Sequence, residues 1–334
     1  MMPSVTVLMS VYNGEYHLRE AVSNILRQTF TDFEFIIFND GSTDGTQAIL
    51  TSYDDSRIIL VQNETNLGLT RSLNKGLRLA RGKYIARQDA DDVSLPERLE
   101  KQVAFLERNP QVCLVGSAIA VLNSANETVT ELILPTSDKE LQSLLLKRNP
   151  FCHGSVMLRR TSVEQLEGYR ETFFRAQDYD LWLRLAEIGQ VANLPEVLYQ
   201  WRFAPEAVSV RHRREQMAYS TLAKQCARHR RLGIPEPSLE TSLLLKQRRI
   251  SLPAAWEIRR IQAGYYYHWG KAALVQRGQP TVARHHLHRS LLAWPVRPAS
   301  LCWWVLTWLP ADVIQRLRAL KRSVAGRLKT QRFI

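Results

Sequence analysis

Lys83-Tyr84-Ile85-Ala86-Arg87-Gln88-Asp89-Ala90-Asp91-Asp92 sets a short β-like run directly against three carboxylates in four residues. Three anions packed that tightly repel one another, and a compact fold tolerates them best with a cation among them. Oxygen-only ligands suit a hard divalent ion, Mg²⁺ or Mn²⁺, which usually arrives with phosphate groups. The same residues also read as a solvated acidic turn ending in a helix cap, because Leu95-Pro96-Glu97-Arg98 has the form of a helix start. Asp92 is assigned to that following helix rather than to chemistry.

Upstream, Val5, Val7, Met9 and Val11 alternate with Thr6, Leu8 and Ser10, as in a largely buried strand. Tyr12-Asn13-Gly14 ends it. Leu18, Ala21, Val22, Ile25 and Leu26 then fall on one face of a helix. Phe33 to Phe38 is the next strand, Asn39 to Thr46 a polar turn, and Arg57 to Val61 a third strand. Asp44, with Gln47 three residues on, is read as a helix cap. Leu69, Leu73, Leu77 and Ala80 mark the helix before the strand that carries the tetrad. Strand–helix alternation with short polar turns predicts an α/β fold with a mostly parallel, doubly wound sheet. Both polar turns, at 39–46 and 89–92, sit where such sheets collect function. Further strands are expected at Cys113 to Leu122 and Val156 to Arg159, and a helix at Asp178 to Ile188.

Charge divides the chain. Residues 1–204 carry 21 Lys and Arg against 26 Asp and Glu, whereas residues 205–334 carry 24 against 6. The β pattern stops near residue 205 and gives way to basic helices. The reading is therefore a domain at 1–205 and a basic helical region at 206–334. Trp256 to Arg277 and Pro280 to Trp294 resemble a helical hairpin. Leu301 to Leu309 is apolar but stops at Pro310, far short of the roughly 20 residues that span a bilayer. Beyond it, Val313, Leu317, Leu320, Val324 and Leu328 line one face, flanked by Arg316, Lys321, Arg322 and Arg327. A tryptophan-rich segment followed by a basic amphipathic helix predicts contact with a membrane surface; packing on its own domain, or in a homodimer, is the alternative. Nucleic acid is not expected as a partner, since no binding motif accompanies the charge. The four cysteines, Cys113, Cys152, Cys226 and Cys302, show no metal or disulfide spacing, which fits a reducing compartment. Met1 to Ser4 lack a basic stretch, so no cleavable leader is expected. His285, His286 and His288 are read as a basic helix surface rather than a metal site.

Six segments stand in order: Ser4 to Gly14; Gln28 to Glu34 running into Asn39-Asp40-Gly41-Ser42-Thr43-Asp44; Asn66-Leu67-Gly68 with Leu73 to Gly76; Ala80 to Ala86; the tetrad; and Gln177-Asp178-Tyr179-Asp180-Leu181-Trp182-Leu183-Arg184. Together they resemble glycosyltransferase family 2, the inverting enzymes of GT-A fold that act in surface-polysaccharide synthesis. The resemblance covers about residues 4–205. It implies a nucleotide-sugar donor, UDP-linked, and Mn²⁺ or Mg²⁺ as cofactor. Ser10, Tyr12 and Asn13 match the nucleotide-facing loop, and Asp40 the acid that reads the uracil edge. Arg71 is placed to reach the diphosphate or the base. Asp89 and Asp91 match the Asp-x-Asp motif, Asp89 toward the ribose and Asp91 on the metal.

Asp178 matches the general base, with Asp180 a rival two residues on. His153 stands at an acceptor-side position, or is a core histidine. Arg202 is assigned either to an acceptor phosphate or to a structural salt bridge. Asn39 replaces the first acid of the usual Asp-Asp-Gly-Ser, Ser10 stands where proline is frequent, and Gln177 where glutamate is. Tyr199-Gln200-Trp201-Arg202 is not the Gln-x-x-Arg-Trp of processive synthases, which implies single-sugar addition.

The expected acceptor is lipid-linked or a polysaccharide, met at the cytoplasmic face of the membrane. The rivals are a nucleotidyltransferase, which wants a glycine-rich basic loop after the first strand, and a catalytically inactive nucleotide-sugar-binding module, which would lose Asp91 or Asp178.

Overall fold

The computed structural model describes residues 2–123, 126–202, 213–237, 263, 266, 267, 270, 271, 274, 280–295, 298–309 and 313. Val5–Val11 forms β1, Leu18–Leu26 α1, Phe33–Asp40 β2, Thr46–Thr51 α2, Ile58–Asn63 β3, Leu69–Leu79 α3 and Tyr84–Arg87 β4. After the acidic turn come β5 (Val93–Ser94), α4 (Arg98–Arg108), β6 (Val112–Leu122), β7 (Thr128–Leu132) and α5 (Asp138–Leu145). A 3-10 turn at His153–Ser155 leads to β8 (Met157–Arg159), α6 (Arg160–Gln165), α7 (Gln177–Ile188) and β9 (Gln190–Arg202). Then follow α8 (Arg213–Leu232), α9 (Pro280–Ala293) and α10 (Pro298–Leu306).

The strands make one sheet in the order β3-β2-β1-β4-β8-β6-β9-β5, with β7 paired to β6. β3, β2, β1 and β4 run parallel, as the strand–helix alternation predicts. β8 is antiparallel to both β4 and β6, and β9 is parallel to β6. Side chains of the parallel strands alternate between two cores. Val5, Val7, Met9, Phe35, Ile37, Tyr84 and Ala86 face α1, whose Leu18, Ala21, Val22 and Ile25 are buried among them. Leu8, Ile36, Phe38 and Ile85 join the opposite core with Leu73 of α3 and Trp182 of α7. Burying each large aliphatic side chain is worth about 1.5–3 kcal/mol, so this period-2 division fixes the register.

β9 carries no such alternation. Its thirteen residues are buried in an irregular pattern, and its pairing with β6 shifts register at three points. That irregularity is why the strand is not legible in the sequence. α7 differs from its one-sided expectation: every residue from Tyr179 to Ala186 is buried, because α5, α6, α8, β6 and β9 all pack against it.

Two compact units result, residues 1–204 with 212–249, and residues 205–211 with 250–334. α8 lies in the first, where Tyr219, Leu222, Ala223, Cys226 and Ala227 join the core that contains Trp182. A boundary drawn at 205 thus falls before a helix that packs into this core. In the second unit, α9 packs on α10 through Ala283 and Leu287, and the Ser290 and Ser300 hydroxyls meet at 2.7 Å. Most of Trp256 to Arg277, and the amphipathic run from Leu317 on, lie outside the described residues.

Gly76 lets α3 approach the sheet. A Cβ there would lie 2.2 Å from Leu8 Cδ1 and 3.1 Å from Phe38 Cε2, both in fully buried side chains. Gly76→Ala should therefore cost about 1–3 kcal/mol, read as a lower urea midpoint at unchanged m value.

Candidate active site

β1, β2 and β4 end side by side, with Val11 opposite Asn39 and Leu8 opposite Arg87. Their carboxyl-terminal turns therefore share one crevice, the usual ligand position in an open parallel sheet. The first two turns are laced together. Asn13, at a left-handed φ of 51°, accepts from Thr43 N–H (2.8 Å) and donates its own N–H to Ser42 Oγ (3.0 Å). Gly14 N–H donates to Thr46 Oγ1, and Gly45 N–H to Glu15. Asp44 holds the N–H of Thr46, but Gln47 is engaged by Asn39 instead of completing a capping box. Tyr12 is exposed above this lacing, and Ser10 is half-buried at the strand end.

Asp40 is buried at the end of β2. Its Oδ1 accepts from Asn63 Nδ2, Ser72 Oγ and Leu67 N–H, and its Oδ2 from Gly68 N–H. Of roughly four lone pairs, one on Oδ2 remains for a ligand. Asp40 is thus first a clasp between β2 and the 66–72 segment. Arg71 is exposed and pairs with Glu171 at 3.1 Å, not with the acidic turn.

The turn after β4 is held from several sides. Arg87 is fully buried: Nη1 donates to the carbonyls of Leu8 (2.7 Å) and Gln88 (2.6 Å), and Nη2 donates to Asp89 Oδ1. Its Nε–H points at His153 Nε2 at 3.3 Å. Since arginine offers no lone pair, that nitrogen is the acceptor and the proton of the neutral ring sits on Nδ1. Tyr169 Oη lies 2.9 Å from the same nitrogen. Burial, then the Arg87 charge, pushes His153 down to about 3. His153 is therefore a neutral, packed ring under the turn.

Asp92 does not cap α4, contrary to the expectation. It is buried, accepting from Tyr199 O–H (2.9 Å) and from Arg202 N–H (2.7 Å). Burial first, then Asp91 and Asp89, raises its carboxyl well above the usual range. Arg98 is also no surface helix residue. It is fully buried, donating to Ser94 Oγ (2.7 Å) and to the carbonyl of Arg87 (2.7 Å).

Asp91 reaches solvent, yet the protein closing around the turn desolvates it, and with the Asp89 charge this pushes it up to about 6. Asp91 and the free oxygen of Asp89 form an oxygen-only pair, which fits a hard divalent cation. Among the described residues no group of three or more His, Cys, Asp or Glu converges. Two carboxylates fit the usual holding of Mg²⁺ or Mn²⁺, in which diphosphate oxygens and water complete the shell.

Asp178 and Asp180 separate cleanly. Asp180 is buried with Arg170 Nε and Arg184 Nε each at 3.0 Å, so its lone pairs are committed. Asp178 is half-buried at the first turn of α7 and accepts from Asn149 Nδ2 at 2.9 Å. Burial, opposed by hydrogen bonds from Tyr179 N–H and Asn149, leaves it raised to about 6, and the Asp89 charge adds to the rise. The two carboxylates sense each other across the site. Ala176, two residues earlier, is held at a left-handed φ of 52°. Sequence reasoning missed Arg87, Asn149 and Tyr199; a charged residue inside the apolar run 84–87 was the one available hint.

Residues 6–166 match the family described as glycosyl transferase family 2. The Bacillus subtilis protein EpsE, which carries a glycosyltransferase designation, is 40% identical over 240 residues, covering 70% of this chain and 85% of EpsE. The Escherichia coli UDP-Glc:alpha-D-GlcNAc-diphosphoundecaprenol beta-1,3-glucosyltransferase WfgD is 28% identical over 61% of this chain and 79% of its own. The solved mannosyltransferase PcManGT from Pyrobaculum calidifontis, in complex with GDP-Man and Mn2+, superposes with TM-score 0.53 at 19% identity, covering 96% of this chain and 88% of PcManGT.

The contrast between the two aspartates is open to test. Asp180→Asn should destabilise the fold by about 3 kcal/mol, because the buried Arg184 loses its counter-charge and the half-buried Arg170 keeps only Glu236. Asp178→Asn should leave the urea midpoint unchanged or raise it, since burial already disfavours the charged carboxylate.

Proposed function

Because this chain belongs to glycosyl transferase family 2, we propose that it moves one sugar, with inversion, from a UDP-sugar to a hydroxyl of a lipid-linked glycan acceptor. The chain is a GT-A glycosyltransferase of cell-surface glycan biosynthesis. Donor, stereochemistry and acceptor are the proposed part. The observation that carries the reading is the pair of opposed acidic stations, Asp89 with Asp91 at the end of β4 and Asp178 at the start of α7.

Asp91 and Asp89 would hold Mn²⁺ or Mg²⁺. A bound divalent cation supplies Lewis acidity to the leaving diphosphate. Asp40 offers its remaining Oδ2 lone pair to the N–H of a uracil, and Tyr12 offers an exposed ring to the base. Asn149 orients Asp178 so that its free oxygen can take the acceptor's hydroxyl proton as the new bond forms. A base raised to about 6 is ionised at neutral pH yet basic enough to accept that proton. WfgD's named donor and acceptor support the UDP and lipid-linked assignments. Family membership weighs against nucleotidyl transfer, and the intact acidic stations weigh against an inactive module.

A peripheral position at the cytoplasmic membrane face suits such an acceptor. Among the described residues no helix is long and apolar enough to cross a membrane. Leu301, Val305 and Trp308 recur at helical spacing and are 51%, 52% and 60% exposed. Arg284 stacks 3.6 Å over the Trp308 ring. An apolar ridge beside a cation is the makeup of an interfacial contact.

Asp178→Asn should lower transfer about 10²–10⁴-fold while leaving UDP binding intact. At saturating Mn²⁺ the rate should be full above the Asp178 value and lost as pH falls through about 6. Asn149→Ala removes a hydrogen bond that favours the carboxylate, so this acidic limb should move up by roughly one pH unit. A limb that stays put removes Asp178 from the role. Replacing Leu301, Val305 and Trp308 together by Ser should lower co-sedimentation with anionic vesicles several-fold without changing UDP binding.

A further inference from the structure

Arg202 cannot present its guanidinium to an acceptor. It is 4% exposed and every edge is engaged. Nε donates to the carbonyl of Asp91 (2.8 Å), Nη2 to Glu20 Oε2 on α1 (2.8 Å), and Nη1 to Asn126 Oδ1. Its own N–H donates to Asp92 Oδ1. Three residues back on β9, Tyr199 is fully buried. Its hydroxyl accepts from Asp89 N–H (3.2 Å) and donates to Asp92 Oδ2 (2.9 Å). Each residue of the turn that carries a carboxylate is thus gripped by β9 through a different atom: Asp89 by its N–H, Asp91 by its carbonyl, Asp92 by its side chain.

The grip leaves the functional oxygens alone. Neither Tyr199 nor Arg202 donates to the carboxylate of Asp89 or Asp91. The fit is also tight. A Cβ on Gly154 would stand 1.8 Å from Tyr199 Oη and 2.9 Å from Asp89 Oδ2, so only glycine admits the phenol beneath the turn. Arg98 adds its charge 5.2 Å from the centre of the Tyr199 ring, on the buried side.

We infer that Tyr199 and Arg202 are positioning residues that set the turn 89–92 for the divalent cation and the diphosphate. The inference rests on the reading of Asp89 and Asp91 as the cation-holding pair. Partners one step behind metal ligands usually matter by 10- to 100-fold in metal affinity. Moving the main chain of Asp91 or Asp89 by a fraction of an ångström misdirects the carboxylates without touching them.

The test is calorimetric titration of UDP and of Mn²⁺ into the full chain, comparing wild type, Tyr199→Phe, Arg202→Met, Arg202→Lys and Asp91→Asn. Wild type should bind UDP more tightly with Mn²⁺, and Asp91→Asn should lose that increment. Tyr199→Phe and Arg202→Met should weaken Mn²⁺ binding in the presence of UDP about tenfold, with Arg202→Lys recovering part of the loss. If Tyr199→Phe does not fold, Arg202→Met decides, since it leaves Glu20 in solvent at 46% exposure. A wild-type response with variants that bind Mn²⁺ normally, whatever their melting temperature, overturns the positioning role alone. So does a raised acceptor KM at unchanged Mn²⁺ and UDP affinity, which would make Arg202 an acceptor contact. Wild-type protein whose UDP affinity ignores Mn²⁺ overturns the cation reading and this inference together.

Discussion

Crowded negative charge is the constraint around which this protein is arranged. Two unit charges 4 Å apart interact by about 4 kcal/mol at an effective dielectric of 20, so Asp89, Asp91 and Asp92 cannot be left to themselves. Arg87 answers from beneath with a direct bond to Asp89, Arg98 from the buried side, and Arg202 from β9. Glu20 takes part of the Arg202 charge. The turn is therefore almost but not fully neutralised, and it stays receptive to a divalent cation without flying apart in its absence. Burial first, and the neighbouring carboxylates second, leave Asp91 and Asp92 raised.

Environment, not residue type, assigns the acids their work. Asp178 and Asp180 lie two residues apart on α7 and share one side-chain chemistry. Two arginines consume Asp180, while one neutral amide steadies Asp178 and leaves it an oxygen. Asp40 shows a third outcome, a carboxylate spent mostly on clasping its own loops.

Legibility follows the range of the interactions. β1, α1, β2 and α3 are readable because their periodicity is local: each strand sends its two faces into different cores, and each helix buries one face. The acidic turn and Asp178 are readable because their spacing is distinctive. β9 is not, since its pairing shifts register and its burial does not alternate. Asp92 was assigned to the helix beside it because its partners lie more than a hundred residues away, where no sequence pattern can point. Arg87, whose partners Leu8 and His153 lie 79 and 66 positions away, looks in sequence like a stray charge in a strand, and becomes intelligible only when Leu8, His153 and Asp89 converge on it.

That distance has a kinetic side. The bond from Arg202 N–H to Asp92 spans 110 positions, and the strand bearing it is the last described strand along the chain. Loop closure must precede any gain from such a contact, which places it late in assembly. A chain emerging from the ribosome holds β1 to β4 well before residue 202 appears, while the core around Trp182 is completed only by α8, at Arg213–Leu232. The acidic turn, however, has only Arg87 and Arg98 to hold it until β9 docks. Competence for chemistry is thus acquired after β1 to β4 exist, and a chain ended before residue 202 would lack both the β9 braces and the α8 side chains of the core around Trp182.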